Sequence, residues 1–253
     1  MKRPPRGRPS RPLGHGDHVS RETIEAVCRR FGLSAGSAEQ IRLLLEALAA
    51  EPDPPTTVRA PAAALDGHVA DSLSGLAVSE LSAARRVADV GAGAGFPGLA
   101  LAVALPGASI DLVESAGRKA AVIERLARAA ELTNARAVTA RVEEWGAVPG
   151  TAGGGGGAYD AVTVRAVAAL PVLAEYAAPL LRDGGVLIAW KGARDAAEEG
   201  AGRAAAEQLG LVAEDVLHVE PFEGARDRHL HVYRKVAPTP ERFPRRPGIA
   251  VKR

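Results

Sequence analysis

Four glycines stand close together between two apolar segments of the chain, at Gly91, Gly93, Gly95 and Gly98. The segment before them and the alternating segment that ends at Glu114 both have the pattern of β-strands, and the apolar stretch between them has that of a buried helix. Glycine lets a ligand approach the backbone closely, because no side chain stands in the way. The pattern therefore predicts a site for a nucleotide-like ligand at one edge of an α/β sheet.

The glycine spacing alone leaves two ligand classes open. With Glu114, which lies about 20 residues further on, it satisfies the dinucleotide fingerprint, in which an acid binds a ribose. S-adenosylmethionine is favoured by Asp89 at the end of the first strand, because this acid can hold the cationic amino-acid end of that molecule but would repel a pyrophosphate. Pro97 also favours S-adenosylmethionine, because a proline at the start of the helix offers no N–H to a phosphate. The segment 179–192 has the late strand pattern of class I methyltransferases.

Other residues are placed to bind the same ligand. The carboxylate of Glu114 can accept two hydrogen bonds from a ribose diol, and the alternative is a solvated strand end. After the third predicted strand, the backbone of Val142 and the carboxylate of Glu143 are placed to meet an adenine edge, unless they only begin a charged helix. Arg165 follows the fourth strand, at the edge where ligands bind in such sheets.

A sheet must bring these residues together, and the chain alternates strand and helix patterns from Arg86 onward. Such alternation predicts a mostly parallel sheet. Strands are predicted near 86–90, 109–114, 136–140, 159–164, 185–190, 211–219 and 229–236, the last two as a hairpin-like pair. Helices are predicted near 97–104, 117–131, 167–181 and 194–209. The glycine run at 151–158 is predicted to be a flexible insertion in a surface loop.

Three helices are predicted before the sheet, over about 21–30, from Ser37 to about 51, and over about 61–78. The fold class is therefore α/β, a class I, Rossmann-like methyltransferase fold with a small N-terminal helical cap. We divide the chain into a disordered basic tail at 1–18, the cap at 19–80, a Rossmann-like methyltransferase domain at 81–236 and a basic Pro-rich tail at 237–253.

Composition indicates the cellular compartment of the protein and excludes some kinds of site. Cys28 is the only cysteine, which excludes an internal disulfide and a thiolate metal cluster and suits a reducing compartment. No apolar run approaches the roughly 18 residues of a membrane span, and the basic start lacks the apolar core of a secretory signal. We therefore expect a cytoplasmic protein with no metal and no membrane contact.

Positive charge is concentrated at the two ends of the chain. Residues 1–20 sum to +4 and residues 234–253 to +6, so the net charge of +2 leaves 2 − 10 = −8 for the middle. Basic ends around an acidic body predict a polyanionic partner; the alternative is that they only keep the chain soluble.

The absence of two motifs limits which kind of atom the protein can methylate. Attack on a pyrimidine carbon needs a cysteine nucleophile, and Cys28 lies in the N-terminal helix, far from the strand ends. No Asn-Pro-Pro-Tyr-like motif follows the fourth strand, which argues against an exocyclic amine as the acceptor. A ring nitrogen such as guanine N7 carries a free lone pair, so positioning and electrostatics can suffice without a general base.

Several motifs together resemble one family: DVGAGAGFPG at 89–98, ES-x-GRK at 114–119, ARVEEW at 140–145, VRAVA at 164–168 and WKG at 190–192. HVADSL at 68–73 and RHLHVYRK at 228–235 extend the match, which covers roughly residues 20–253. The chain resembles the glucose-inhibited division protein B family, the RsmG methyltransferases. The resemblance implies transfer of methyl from S-adenosyl-L-methionine to N7 of a guanine, guanine 527 in the family, in 16S ribosomal RNA of the small subunit.

The resemblance also implies roles for particular residues. Arg165 is expected near the methionine end of the cofactor or near the target base. His68 and Asp71 recur in family members, where they either line the pocket or tie the cap to the sheet. The cofactor-binding residues it implies, together with those argued above, are Gly91, Phe96, Val142, Glu143, Arg165, Asp89, Gly93 and Glu114. The candidates for RNA phosphate contacts are Arg118, Lys119, Lys191, Arg245 and Arg246.

The chain departs from the family pattern at two cap positions, where Pro54 replaces the usual asparagine and Gly67 the usual arginine. Both bear on how RNA is held rather than on the cofactor. Three alternatives stay open: a methyltransferase acting on another RNA or a small molecule, a non-catalytic RNA-binding protein, and a nicotinamide oxidoreductase. The expected partner is naked 16S RNA or the small ribosomal subunit, and nothing in the sequence demands a dimer.

Overall fold

The computed structural model describes residues 19–251, so the tail predicted at 1–18 lies outside the described residues. A seven-stranded sheet has the order β3-β2-β1-β4-β5-β7-β6, in which the first five strands are parallel and β7 is antiparallel to both of its neighbours. The strands are β1 (Arg86–Val90), β2 (Ser109–Glu114), β3 (Ala135–Thr139), β4 (Tyr159–Arg165), β5 (Leu181–Lys191), β6 (Leu211–His218) and β7 (His229–Lys235). The seven predicted strands and the closing antiparallel pair are confirmed.

Ten α-helical segments lie within residues 19–251, several of them a single turn. Ser20 caps the first by accepting a hydrogen bond from the backbone N–H of Thr23, at 3.1 Å. The helices are α1 (Arg21–Arg30), α2 (Ser37–Ala50), α3 (Pro61–Ala64), α4 (Asp71–Leu73), α5 (Ser79–Ser82), α6 (Gly98–Ala104), α7 (Gly117–Ala129), α8 (Val142–Ala147), α9 (Leu170–Ala177) and α10 (Ala196–Gln208).

The prediction of one regular helix over 61–78 is wrong. Between α3 and α4 the backbone makes a π-helical turn at Leu65–Ala70, and after α4 it tightens into a 3-10 turn at Ser74–Ala77. At this point the carbonyl of Asp71 accepts from two side chains, the hydroxyl of Ser74 at 2.6 Å and the indole N–H of Trp190 on β5 at 2.9 Å. The same ring packs so closely on the 3-10 turn that a Cβ added at Gly75 would lie 2.4 Å from it.

The glycine run at 151–158 lies in a loop whose residues 151–153 and 157 are exposed, as predicted, but two glycines in its middle are packed against the fold. Gly154 and Gly155 are buried. The amide of Gly155 donates to the carbonyl of Trp145 at 2.9 Å, and a Cβ added at Gly155 would lie 2.3 Å from the Trp145 indole nitrogen. Glycine is required here because the backbone lies directly against an aromatic ring.

Helices cover both faces of the sheet and leave the carboxyl ends of the parallel strands open to a ligand. On one face, α1 and α2 of the cap pack with α6 and α7 in a single apolar cluster that includes Ile24, Leu44, Leu99 and Ile123. On the other face, α9 and α10 pack with the C-terminal segment, whose Ala250 is buried there. None of the helices formed by residues 19–251 is long and apolar enough to cross a membrane.

Candidate functional site

The predicted glycine turn lies where β1 ends, at the carboxyl edge of the parallel strands. Gly91, Gly93 and Gly95 have φ values of +68°, +56° and +95°, which L side chains rarely adopt. A Cβ at Gly91 would lie 2.6 Å from Val167 in the loop after β4, whereas the nearest atom to a Cβ at Gly93 is 3.8 Å away. The turn therefore presents bare backbone to open space at Gly93 and is closed against the β4 loop at Gly91.

Asp89 is fully buried beneath this turn. Its Oδ2 accepts from the backbone N–H of Gly98 at 2.8 Å and its Oδ1 from the hydroxyl of Thr163 at 3.3 Å. Burial raises the pKa of Asp89 to about 7, and the hydrogen bond from Gly98 offsets only part of that effect. The carboxylate thus holds the start of α6 against β1, and its predicted contact with a cofactor stays a prediction.

Glu114 at the end of β2 is brought to the turn. Its Oε2 accepts from the backbone N–H of Gly93 at 3.1 Å and its Oε1 from that of Ala116 at 2.9 Å, and only 6% of the residue is exposed. The carboxylate of Glu114 thereby connects the end of β1 with the end of β2, and the sequence predicts that both ends bind one ligand. Each carboxylate oxygen can accept a further hydrogen bond, so a diol can still be bound.

Val142 and Glu143 form the first turn of α8, beyond the end of β3. Glu143 is buried, and its Oε1 accepts from the backbone N–H of Gly248 at 3.0 Å. The C-terminal segment therefore reaches the acid that was assigned to the adenine end of the ligand. Sequence reasoning missed this contact, because 105 residues separate the two partners and no local pattern links them.

Phe96 and His68 connect the glycine turn to the cap. Their rings stack with centroids 4.8 Å apart and an interplanar angle of 10°. Nε2 of His68 lies 3.0 Å from the hydroxyl of Thr56 and 3.2 Å from the carbonyl of Val58. Burial, and then the nearby Arg165 guanidinium, lowers the pKa of His68, so the ring is neutral near pH 7.

Arg165 at the end of β4 joins the other side of this histidine to Asp71. Its Nη1 donates to Oδ2 of Asp71 at 2.8 Å and to the carbonyl of Gly67 at 3.0 Å, and its Nη2 lies 3.3 Å from Nδ1 of His68. A cavity of about 420 Å³ opens beside them, and its wall includes Lys191. The structure thus brings the two cap residues His68 and Asp71 to the strand edge, within one cluster.

The five candidates for RNA contacts differ in their surroundings. Three form ion pairs: Arg118 with Asp53, Lys191 with Glu198 at 2.6 Å, and Arg245 with Glu175 at 2.5 Å. Lys119 and Arg246 form no ion pair within residues 19–251. These last two side chains can bind a phosphate without first giving up a carboxylate.

Comparison with known proteins identifies the family to which the chain belongs. The GidB family model, described as rRNA small subunit methyltransferase G, matches residues 55–230. A ribosomal RNA small subunit methyltransferase G of Rubrobacter xylanophilus is 42% identical over 246 residues, which cover 93% of this chain and 92% of the relative. One of Chloroflexus aggregans is 41% identical over 200 residues, covering 78% and 81%. The chain belongs to the GidB family. It is an S-adenosyl-L-methionine-dependent rRNA methyltransferase, as the resemblance implied.

Solved structures with the same architecture confirm the fold class of this GidB-family chain. Aeropyrum pernix fibrillarin, in complex with natively bound S-adenosyl-L-methionine, aligns with a TM-score of 0.50 at 18% identity and covers 65% of this chain and 72% of its own. A StiE O-methyltransferase segment aligns with a TM-score of 0.51 at 18% identity, covering 73% and 78%. Identities this low show the shared fold and nothing finer.

The geometry of the turn suits the methyl donor of this family. Gly93 leaves space for a ligand against the backbone, and the acid at its side is bound by two backbone N–H groups rather than by a cation. Asp89 is fully buried below the turn, where its hydrogen bonds with Gly98 and Thr163 hold the open backbone in place. The residues present therefore fit S-adenosyl-L-methionine.

Proposed function

We propose that this GidB-family chain methylates N7 of a guanine in 16S rRNA, guanine 527 in the family's target, on naked RNA or on the small ribosomal subunit. The proposal is carried by the cavity of about 420 Å³, which is lined by Arg165, Lys191 and Arg228. Its wall includes Ala166 and Ala168, and Val167 between them packs on the glycine turn. A base in the cavity would therefore lie next to the methyl donor, with cations around it for the RNA backbone.

The cofactor would lie along the strand edge. The open backbone at Gly93, the neighbouring Gly91 and the carboxylate of Glu114 are proposed to bind its ribose and amino-acid end, with Asp89 holding the turn in shape. The residues proposed to complete the site are Phe96, Val142, Glu143 and Arg165. S-adenosyl-L-methionine supplies a sulfonium methyl group: the N7 lone pair forms the new carbon–nitrogen bond as the carbon–sulfur bond breaks and its electron pair stays on sulfur.

This chemistry asks the chain for positioning rather than for proton transfer. N7 of guanine carries no proton, so no base has to remove one. Two side chains beside the cavity that could otherwise exchange protons already have partners in the fold: Asp71 is bonded to Arg165, and the neutral His68 stacks on Phe96. Holding the base in line with the methyl group can supply much of the acceleration.

Contacts with the RNA backbone are proposed for Lys119 and Arg246, which have no ion-pair partner within residues 19–251, and for Arg118, Lys191 and Arg245, which would exchange partners. We propose further that the chain acts as a cytoplasmic monomer. In it, residues 19–80 serve as the cap, 81–236 as the methyltransferase domain and 237–253 as a basic tail.

The proposal is tested by incubating the protein with methyl-labelled S-adenosyl-L-methionine and small ribosomal subunits that lack the modification. The RNA is then cleaved chemically at N7-methylguanosine, and a single cleavage at the family's target position is expected. Glu114→Gln should weaken cofactor binding, whereas Glu124→Gln, an exposed acid on α7, should leave it unchanged. Label at another atom or position would overturn the proposed acceptor, and no label would overturn the activity.

A further inference from the structure

Asp71 has one carboxylate oxygen that accepts no hydrogen bond. Among the described residues, its Oδ1 is the single buried side-chain nitrogen or oxygen without a hydrogen-bond partner. Oδ2 of the same carboxylate is bonded to Arg165 at 2.8 Å, and only 9% of the side chain is exposed. Nε of Arg228 forms an ion pair with Oδ1 at 3.4 Å but no hydrogen bond, so a base that donates to Oδ1 would displace this guanidinium. A buried acceptor without a hydrogen bond is destabilising, so a ligand that donates a hydrogen bond here would be favoured.

The cavity beside Asp71 restricts what that donor can be. Arg165, Lys191 and Arg228 also line it, so anionic groups of a ligand would find cations there. The Oδ1 oxygen repels a phosphate or a carbonyl and accepts from an N–H or O–H. A ligand that fits both features is a nucleotide whose base carries N–H donors and whose backbone carries the phosphate.

We infer that Asp71 Oδ1 selects guanine, by accepting a hydrogen bond from the edge of the base that carries N1–H and the N2 amino group. This inference rests on the proposed function. Guanine presents two adjacent donors on that edge, whereas adenine presents a lone pair at N1 and no amino group at C2. N7 lies on the opposite side of the purine, so a guanine held by Asp71 keeps its reacting atom free.

The substitution Asp71→Asn tests this role without removing the side chain. Both Arg165 and Arg228 donate toward this group, but Arg165 lies at hydrogen-bond distance, 2.8 Å, and Arg228 at 3.4 Å. The amide oxygen is therefore expected to replace Oδ2, and the NH2 group to replace Oδ1, where the ion pair with Arg228 is lost. The variant therefore keeps its hydrogen bond to Arg165 and presents a donor where the wild type presents an acceptor. Asp66→Asn is the matched control, because Asp66 is exposed on the π-helical turn just before Asp71 and lies outside the cavity wall.

The substrates are small ribosomal subunits reconstituted with 16S RNA that carries guanosine, inosine or 2-aminopurine at the acceptor position. Inosine lacks only the N2 amino group, and 2-aminopurine lacks N1–H. For the wild type and for Asp66→Asn, we expect kcat/KM to fall about 10- to 100-fold on at least one analogue, since a hydrogen bond to a charged group is lost. For Asp71→Asn, guanosine should lose a similar factor, and its preference over that analogue should fall to within about threefold.

Two results would overturn the inference: a wild type that methylates both analogues as well as guanosine, or Asp71→Asn with the wild-type preference intact. Thermal melting and calorimetric binding of S-adenosyl-L-methionine show whether Asp71→Asn is folded and still binds the cofactor. If it is not folded, the wild-type preferences among the three bases still decide the matter. Failure of the proposed function is separate, because the wild type would then form no N7-methylguanosine on the guanosine substrate.

Discussion

An ion pair attaches the C-terminal segment to α9, and the effect of removing this ion pair should be measurable. Arg245 donates to Glu175 on α9 through Nε at 2.7 Å and Nη2 at 2.5 Å. The Glu175 side chain is 3% exposed and that of Arg245 is 29% exposed. Removing one partner of a fully buried pair costs about 3–5 kcal/mol. Water can reach this guanidinium side, so we predict a loss of about 2 kcal/mol for Arg245→Ala.

For a chain of this size, such a loss lowers the melting temperature by about 4–8 °C. Thermal and urea unfolding of the single and double variants with Glu175→Gln form a double-mutant cycle. With a neutral partner, Arg245→Ala should cost less than half as much as in the wild type. The adjacent Arg246→Ala is the matched control and should stay within about 0.5 kcal/mol of the wild type.

The same variant tests the link between the segment and the proposed cofactor site. Gly248 donates to Glu143, so loosening the segment that carries Arg245 should also weaken binding of S-adenosyl-L-methionine. Calorimetric titration of the variant and of Arg246→Ala measures this effect. The reasoning would be refuted if Arg245→Ala melted with the wild type, or if the cycle showed no coupling with Glu175.

Three further predictions concern the sheet and its glycine turn. Gly91 has φ +68°, and a Cβ added there would lie 2.6 Å from Val167, so Gly91→Ala should lower the free energy of unfolding by about 2–4 kcal/mol. Gly32 has a similar φ of +67° but no neighbour within 4 Å of an added Cβ, so Gly32→Ala should lower it by only about 1 kcal/mol. The pKa of Asp89 is about 7 when folded, against an ordinary 3.8, so the native state binds more protons between these values. Stability from this group therefore falls as pH rises through that range, and urea unfolding of Asp89→Asn should lack this part of the slope; a slope equal to the wild type's would contradict it. Tyr159→Phe removes a hydroxyl that donates to Asp111 at 2.7 Å, and calorimetric melting should show a loss of about 1–3 kcal/mol; an unchanged melting temperature would mean that the bond contributes nothing.

Local pattern was enough to predict the sheet and its ligand edge. Alternating apolar residues in β2, together with the glycines after β1, predicted two parallel strands whose carboxyl ends meet, and Glu114 indeed accepts a hydrogen bond from Gly93. The reason is that strand period, turn chemistry and connection length are properties of neighbouring residues, and each strand end follows from them. The motif residues also carried the family resemblance, which the comparisons confirm.

By itself, then, the sequence determined the positions of the strands, the glycine turn and the acids at the strand ends. Only the tertiary structure decided how the cap is joined to them: Asp71 meets Arg165 across 94 residues, and Trp190 donates to the backbone carbonyl of Asp71. It also decided that Gly248 bonds Glu143. These contacts join residues distant in the chain through single hydrogen bonds and close packing, which leave no period or spacing in the sequence to reveal them.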